Sequence, residues 1–256
     1  MNRLFIVPKN DAEAIVIIEI LQQKGENVLV TSQTWGASWQ NLETDILNNI
    51  PLFSAVYGVE LQGGKPENAI NIDHHVYEND NRYNSKTAIE QVAEILNIEL
   101  SIEQKFIAAN DNQYIPGMIK LGKNMGFTEQ EIQKYIHIVR AKDRFAQGIT
   151  EQQEKQSVNA IESLNINGKQ KLIIINLPHS KCATITDRIF GLYENLLILS
   201  DDGESNFFGN GNICIDLQNK FNGWSGGDLP QNGYWGGYAD QNTVKKYVET
   251  YLNNTN

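Results

Sequence analysis

Asn71-Ile72-Asp73-His74-His75 decides how the rest of the chain is read. The apolar run Ala69 to Ile72 has the composition of a strand and delivers a carboxylic acid and two imidazoles in succession. A loop rich in Asn and Asp follows, from Asn79 to Asn84. A helical pattern comes next, with Ala88, Val92, Ile95 and Leu96 on one side. A strand that ends in polar groups before a crossover helix sets them at the edge of an open α/β sheet, where ligands bind. A carboxylate beside imidazoles suits Mn, Zn or Fe better than Ca. The competing reading is a surface loop that carries two of the four histidines.

Upstream, strand-like and helix-like segments alternate. Arg3 to Val7, Asn27 to Thr31 and Phe53 to Val59 read as strands. Asp11 to Lys24 reads as a helix with Ala14, Ile15, Ile18 and Leu21 inward, stopped by Gly25. A polar connection with Trp35 and Trp39 leads to a weak helix ending near Asn48. This alternation predicts an α/β fold with a parallel sheet.

Downstream, Ser85 to about Ser163 is helical by period. Ser85 is the predicted cap of the first helix. Ser101 with Gln104, Thr128 with Glu131 and Thr150 with Gln153 have capping-box spacing. The texture changes near Asn165-Ile166-Asn167-Gly168. Lys171 to Asn176, Asn195 to Ser200 and Asn212 to Leu217 read as strands. Asn-Gly pairs at Asn167, Asn210, Asn222 and Asn232 read as tight turns, and Gln241 to Leu252 as an amphipathic helix. The expected organisation is a parallel-sheet domain over 1–163 and a smaller C-terminal α/β domain over 164–256, with a cleft between them.

The chain has 256 residues, 41% hydrophobic and 20% charged, enough for a large globular core. No apolar run approaches the ~20 residues of a membrane span, and the N-terminus lacks a signal-peptide pattern. Cys182 and Cys214 form no metal-spacing motif and read as free thiols of a cytoplasmic protein. The formal net charge of -10, with no Lys/Arg run, argues against duplex DNA. It leaves room for a small phosphorylated ligand gripped by metal ions, and for a homodimer.

If the strands run parallel, Asp11 and Glu13, Glu60, and Asp73 with His74 and His75 all follow strand ends on one edge. Asp111, in Asn110-Asp111-Asn112 at a helix end, is placed to join them. Taken singly, each acid reads as a cap or a solvated loop residue. Gathered, they repel one another, and divalent cations are the usual remedy. Two such cations can bridge a phosphate, activate a water and stabilise a leaving oxygen.

With Asp73-His74-His75 on the fourth strand, the chain resembles the DHH phosphoesterase superfamily. That family includes RecJ-type single-strand exonucleases, oligonucleotide and cyclic-dinucleotide phosphodiesterases, and family II pyrophosphatases. The likeness covers most of the chain and is strongest from Asn2 to about Gln147. It implies an N-terminal domain holding two metals, usually manganese with magnesium as a substitute, and a smaller domain that closes over the substrate. The family's first motif, His-x-Asp-x-Asp, corresponds to Lys9-Asn10-Asp11-Ala12-Glu13. The implied ligands are Asp11 and Glu13, and Lys9 stands where a histidine is expected. A protonated amine cannot ligate a metal. Lys9 either lends its own charge, leaving one metal, or marks a protein that binds nucleotides without cleaving them.

Glu60 takes the place of the second-motif aspartate. In the intact third motif the resemblance gives Asp73 and His74 to the metal and His75 to the phosphate. Asp111 supplies the fourth, with Asp143 as the alternative. The family's Gly-Gly-His motif corresponds to Trp224-Ser225-Gly226-Gly227-Asp228, followed by Asn232-Gly233-Tyr234-Trp235-Gly236-Gly237. Gly226, Gly227, Asp228, Gly236 and Gly237 are the implied substrate contacts, with Asp228 in place of the histidine. Trp224, Tyr234 and Trp235 could stack a base, and an aromatic-packed sheet end is the equal alternative.

Arg82 reads as a phosphate contact or a solvated arginine. His137, beside Ile136 and Ile138, reads as partly buried packing. His179, with Lys181 and Arg188, reads as a substrate contact or a plain loop. No nucleophile elbow, P-loop or dinucleotide fingerprint is present. The expected function is a metal-dependent phosphohydrolase for a small nucleotide or short single-stranded oligonucleotide, with His75, Lys9 and Asp73 catalytic. The alternative is a non-catalytic nucleotide sensor on the same fold.

Overall fold

The computed structural model describes residues 2–77 and 80–254. The chain divides into two compact units, Met1–Gly148 and Ile149–Asn256.

In the N-terminal unit β1 (Arg3–Pro8), α1 (Ala12–Gln23), β2 (Asn27–Thr31), α2 (Thr44–Asn49), β3 (Ala55–Val59) and β4 (Ala69–Ile72) follow in order. The sheet order is β2-β1-β3-β4, with every pairing parallel. β1 is central and covered on both faces, which explains its unbroken apolar run. Phe5 and Val7 face a core with Ile17, Leu21, Val59, Ile72 and Phe106. Leu4 and Ile6 face a second core with Trp39, Leu42 and Ile46. Each such fully buried side chain contributes about 1.5–3 kcal/mol. Gly58 in β3 admits the Trp39 ring, because a Cβ there would lie 2.1 Å from it. Trp39 Nε1 in turn donates to Asn71 Oδ1 at 2.9 Å, fixing the end of β4 just ahead of the Asp-His-His triplet.

β5 (Val76–Tyr77) and β6 (Asp80–Asn81) form a two-stranded ribbon. α3 (Ala88–Leu96) opens on Thr87 rather than Ser85. The Thr87 N–H donates to Glu90 Oε2 at 2.9 Å, the return half of a capping box; Ser85 has an alanine at the position where that glutamate is needed. α4 (Ile102–Asn124) and α5 (Glu129–Ala146) open on Ser101 and Thr128 as predicted. α4 is broken at Gln113 and Tyr114, where Tyr114 has φ +54° and ψ -146°. A non-glycine residue held there costs about 1–3 kcal/mol, and Pro116 follows. The break comes just after Asp111.

The C-terminal unit contains α6 (Glu151–Glu162), β7 (Ile173–Leu177), α7 (Ala183–Arg188), β8 (Leu196–Ser200), β9 (Ser205–Asn210), α8 (Gly211–Phe221), β10 (Trp224–Asp228), β11 (Asn232–Gly237) and α9 (Gln241–Asn254). Its sheet runs β10-β11-β9-β8-β7, with β7 and β8 parallel and the other pairings antiparallel. Leu197, Phe207 and Trp235 pack on α8 and α9. Ile173, Ile175, Leu196 and Ile198 pack on the opposite side, with Ile185 of α7 and Ile161 of α6.

α6 therefore belongs to the second unit, and the division falls at Gly148 rather than Ser163. Its polar sequence, with Ser157 as its buried residue, carries little apolar signal. Asn212 to Leu217, expected as a strand, lies in α8. Asn210 Oδ1 accepts from the Asn212 N–H at 2.9 Å as a cap, and Ile213, Cys214 and Leu217 form one buried helical face. Two expected turns also change role: Asn210-Gly211 opens a helix and Asn232-Gly233 begins a strand. Among the described residues no helix is long and apolar enough to cross a membrane. Both cysteines are free thiols.

Candidate metal centre

Because β1, β3 and β4 are parallel neighbours, the residues after them emerge at one sheet edge. Asp11 caps α1, its Oδ1 accepting the Ala14 N–H at 2.8 Å. Glu13, in the first turn of α1, is buried and accepts the Ile89 N–H of α3 at 3.0 Å. Glu60 leaves β3 with φ +50°, its N–H bonded to the Ile72 carbonyl at 2.9 Å.

Ligand atoms of Glu13, Glu60, His74 and Asp111 all lie within 4.8 Å of one another, and Glu60, His74 and His75 form a second, overlapping group. His74 Nε2 stands 2.7 Å from Asp111 Oδ2 and 3.6 Å from Glu60 Oε1. His75 Nδ1 is 3.7 Å from Glu60 Oε1. Glu60 Oε1, His74 Nε2 and Asp111 Oδ2 are buried and have no hydrogen-bond partner. Unpartnered buried polar atoms are costly and uncommon. Three of them converging as carboxylate and imidazole lone pairs form a donor set that fits a divalent cation.

The electrostatics agree. Burial pushes Asp11 up to about 7, and the charges of Asp111 and Asp143 add to the rise. Burial, then the neighbouring Asp111 charge, pushes Glu13 well above the ordinary carboxylate range. Glu60 rises for the same reason, first by burial and then by the charges of Glu13 and Asp111. A bound cation would offset the repulsion that raises these carboxylates.

Asp73 stands outside the four-ligand group. Its Oδ1 accepts from the His75 N–H at 3.0 Å and contacts His75 Nδ1 at 3.0 Å; its Oδ2 accepts from the Tyr77 hydroxyl at 3.0 Å. Burial pushes this carboxyl up, but the bonds from His75 and Tyr77 outweigh it and leave it below its ordinary range. The same bond to Asp73 raises His75. In this geometry Asp73 is an orienting partner of His75.

Arg82 is largely buried rather than solvated. Its side chain is 7% exposed, and it donates to the carbonyls of Leu61 and, at 2.8 Å, Gly63, with Asp73 Oδ2 at 3.4 Å. Asp143 is engaged by the Ala12 N–H at 3.1 Å, Arg140 at 2.9 Å and Gln147 at 2.8 Å, so Asp111 is the acid that joins the cluster. Lys9 is exposed, its Nζ 5.9 Å from the centre of the Phe145 ring.

In the C-terminal unit Gly226, Gly227 and Asp228 pair with Tyr234, Gly233 and Asn232 across β10 and β11, while Gly236 and Gly237 complete β11. His179 is buried, with Nε2 3.1 Å from the Gln153 carbonyl and Nδ1 accepting the Lys181 N–H, so it braces the unit internally. His137 is exposed on α5 rather than packed.

No family model matches the chain, and no curated protein sequence matches it. Among solved structures it is similar to the pGpG-specific phosphodiesterase PggH from Vibrio cholerae, at 14% identity over 98% of each chain and a TM-score of 0.49. It is also similar to an uncharacterized protein from Helicobacter pylori G27, at 15% identity over 99% of each chain and a TM-score of 0.35. Both likenesses are remote, and the functional reading rests on the geometry of the site.

Sequence reasoning missed the clamp of Tyr77 and Arg82 on Asp73, which spans a ribbon too short to give a periodic signal. It also missed Asn10, which is buried beside Asp11 with its Oδ1 unpartnered.

Proposed function

We propose that this chain is a metal-dependent phosphohydrolase acting on a small nucleotide or a short single-stranded oligonucleotide. The supporting observation is the convergence of Glu13, Glu60, His74 and Asp111, with three buried polar atoms facing one another and no well-formed hydrogen bond among them. A divalent cation held by these four would polarise phosphoryl oxygens and make water more acidic. It would also offset the acidic charge that otherwise repels a phosphate.

The chain supplies the proton chemistry. His75 is 44% exposed in its side chain, and its Nδ1 is committed to Asp73. Its Nε2 is then the nitrogen that presents a proton to a phosphoryl or leaving oxygen. Asp73, held by Tyr77 and Arg82, fixes the ring orientation and favours the protonated imidazole.

One observation favours a non-catalytic nucleotide sensor: Lys9 occupies a ligand position of the resembled motif and is exposed beside Phe145. Purified protein with Mn, assayed against pApA-type dinucleotides, pyrophosphate and short oligonucleotides, separates the readings. Turnover that depends on Mn and disappears in His74→Ala supports the hydrolase. Ligand binding without turnover supports the sensor, and absence of both Mn uptake and turnover contradicts the hydrolase.

A further inference from the structure

Helix α5 carries a buried charge network that supplies none of the four clustered metal-ligand candidates. Arg140 and Asp143 lie one turn apart on it, and both are buried. Arg140 Nη1 is 2.9 Å from Asp143 Oδ2 and donates to Asn110 Oδ1 of α4 at 3.0 Å. The guanidinium carbon lies 4.6 Å from the centre of the Tyr114 ring. Asp143 Oδ1 accepts the Ala12 N–H, at the start of α1, at 3.1 Å.

Both contacts fall beside a candidate ligand. Ala12 lies between Asp11 and Glu13, and Asn110 precedes Asp111. Ligand atoms of Glu13 and Asp111 lie within 4.8 Å of each other, and two carboxylates that close repel. The metal-free chain must hold them together by other means. α5 packs against both α1 and α4, and the Arg140–Asp143 pair bonds to each at the turn that delivers the acid.

Stability alone does not account for this pair. A buried ion pair is often no more stabilising than apolar side chains of similar volume. Tyr114, which faces the guanidinium, has φ +54° and ψ -146°, where residues other than glycine are rarely found. Beyond this break α4 closes back on its first half: a Cβ on Gly117 would lie 2.3 Å from the Ala109 carbonyl oxygen. Backbone strain held by its surroundings clusters at functional sites, and this break comes just after Asp111.

We propose that Arg140 is a positioning residue of the metal centre. It fixes the broken turn of α4 through Asn110 and Tyr114, and the start of α1 through Asp143. It thereby sets the spacing of Asp111 and Glu13 before a cation arrives. This deepens the function proposed above and rests on its choice of Glu13 and Asp111 as ligands.

The test is calorimetric titration of the full chain with Mn alone, at a temperature where circular dichroism shows every variant folded. Arg140→Met should weaken Mn binding about tenfold or more, as loss of a group that orients a ligand does. Arg3→Met is the control for lost stability. It breaks a buried ion pair with Glu26 at the other end of β1, and a distant site should leave Mn affinity within about twofold. If Arg140→Met does not fold, Asn110→Ala carries the same comparison, because it removes the Arg140 acceptor beside Asp111 and keeps the Asp143 anchor. Unchanged Mn affinity in the folded variant would overturn the positioning role and leave the metal reading standing. Equal weakening by Arg3→Met would overturn it in favour of a general loss of stability. No Mn uptake by the unaltered chain would overturn both.

Discussion

His74 Nε2 and Asp111 Oδ2 lie 2.7 Å apart, one delivered by the end of β4 and the other by α4 just before its break. Both atoms are buried, and neither makes a well-formed hydrogen bond beyond this close contact. Asp111→Asn should therefore reduce Mn affinity by at least about tenfold, since even loss of an outer-shell partner costs about 10–100-fold. The same change removes like charge beside Glu13 and Glu60 and should raise the metal-free melting temperature. Calorimetric Mn titration and thermal melts check both; unchanged Mn affinity would remove Asp111 from the ligand set.

The buried acids make the metal-free protein sensitive to pH. Asp11 is pushed up to about 7 by burial, and Glu13 and Glu60 rise well above their ordinary range. The folded chain holds these protons more tightly than the unfolded chain does. The contribution of Asp11 to stability is therefore full below about pH 4 and falls as pH rises through about 7. Those of Glu13 and Glu60 fall in the same direction. The slope is up to about 1.4 kcal/mol per pH unit for each group. Mn should flatten this dependence at neutral pH. Chemical denaturation from pH 4 to 8, with and without Mn, measures it.

Asp73→Asn separates orientation from ligation. With both Asp73 oxygens committed to His75, Tyr77 and Arg82, the variant should keep Mn affinity within about threefold. It should lower kcat by about a hundredfold or more through loss of a positioned proton donor. Loss of Mn binding instead would place Asp73 among the ligands.

Arg82→Ala leaves the Leu61 and Gly63 carbonyls and a buried carboxylate short of partners. A loss of about 3 kcal/mol in urea denaturation is expected. A change below about 0.5 kcal/mol would show that the clamp is not formed in solution.

Much of the first sheet was legible because its strands announce themselves locally. Arg3 to Val7 and Asn27 to Thr31 are β-rich runs punctuated by Pro8 and Gly25, and the boxes at Ser101, Thr128 and Thr150 set helix starts through short-range bonds. Asn212 to Leu217 failed because a short apolar run fits either period, and the cap at Asn210 decides for helix only when its N–H partner is seen. In the site, the shared edge of Glu60 and His74 followed from parallel topology. The contacts of Asp73 did not: adjacency to His74 says nothing about which way its carboxylate turns, and Tyr77 and Arg82 meet it from the ribbon. Trp235 and Trp224 were alike in sequence and differ because strand alternation sends one into the core and leaves the other exposed.

The most direct measurement is anomalous scattering from crystals of the full chain soaked in Mn. The account predicts a peak bounded by Glu13, Glu60, His74 and Asp111. Saturating Mn that gives no peak there, or a peak only on other side chains, would contradict it.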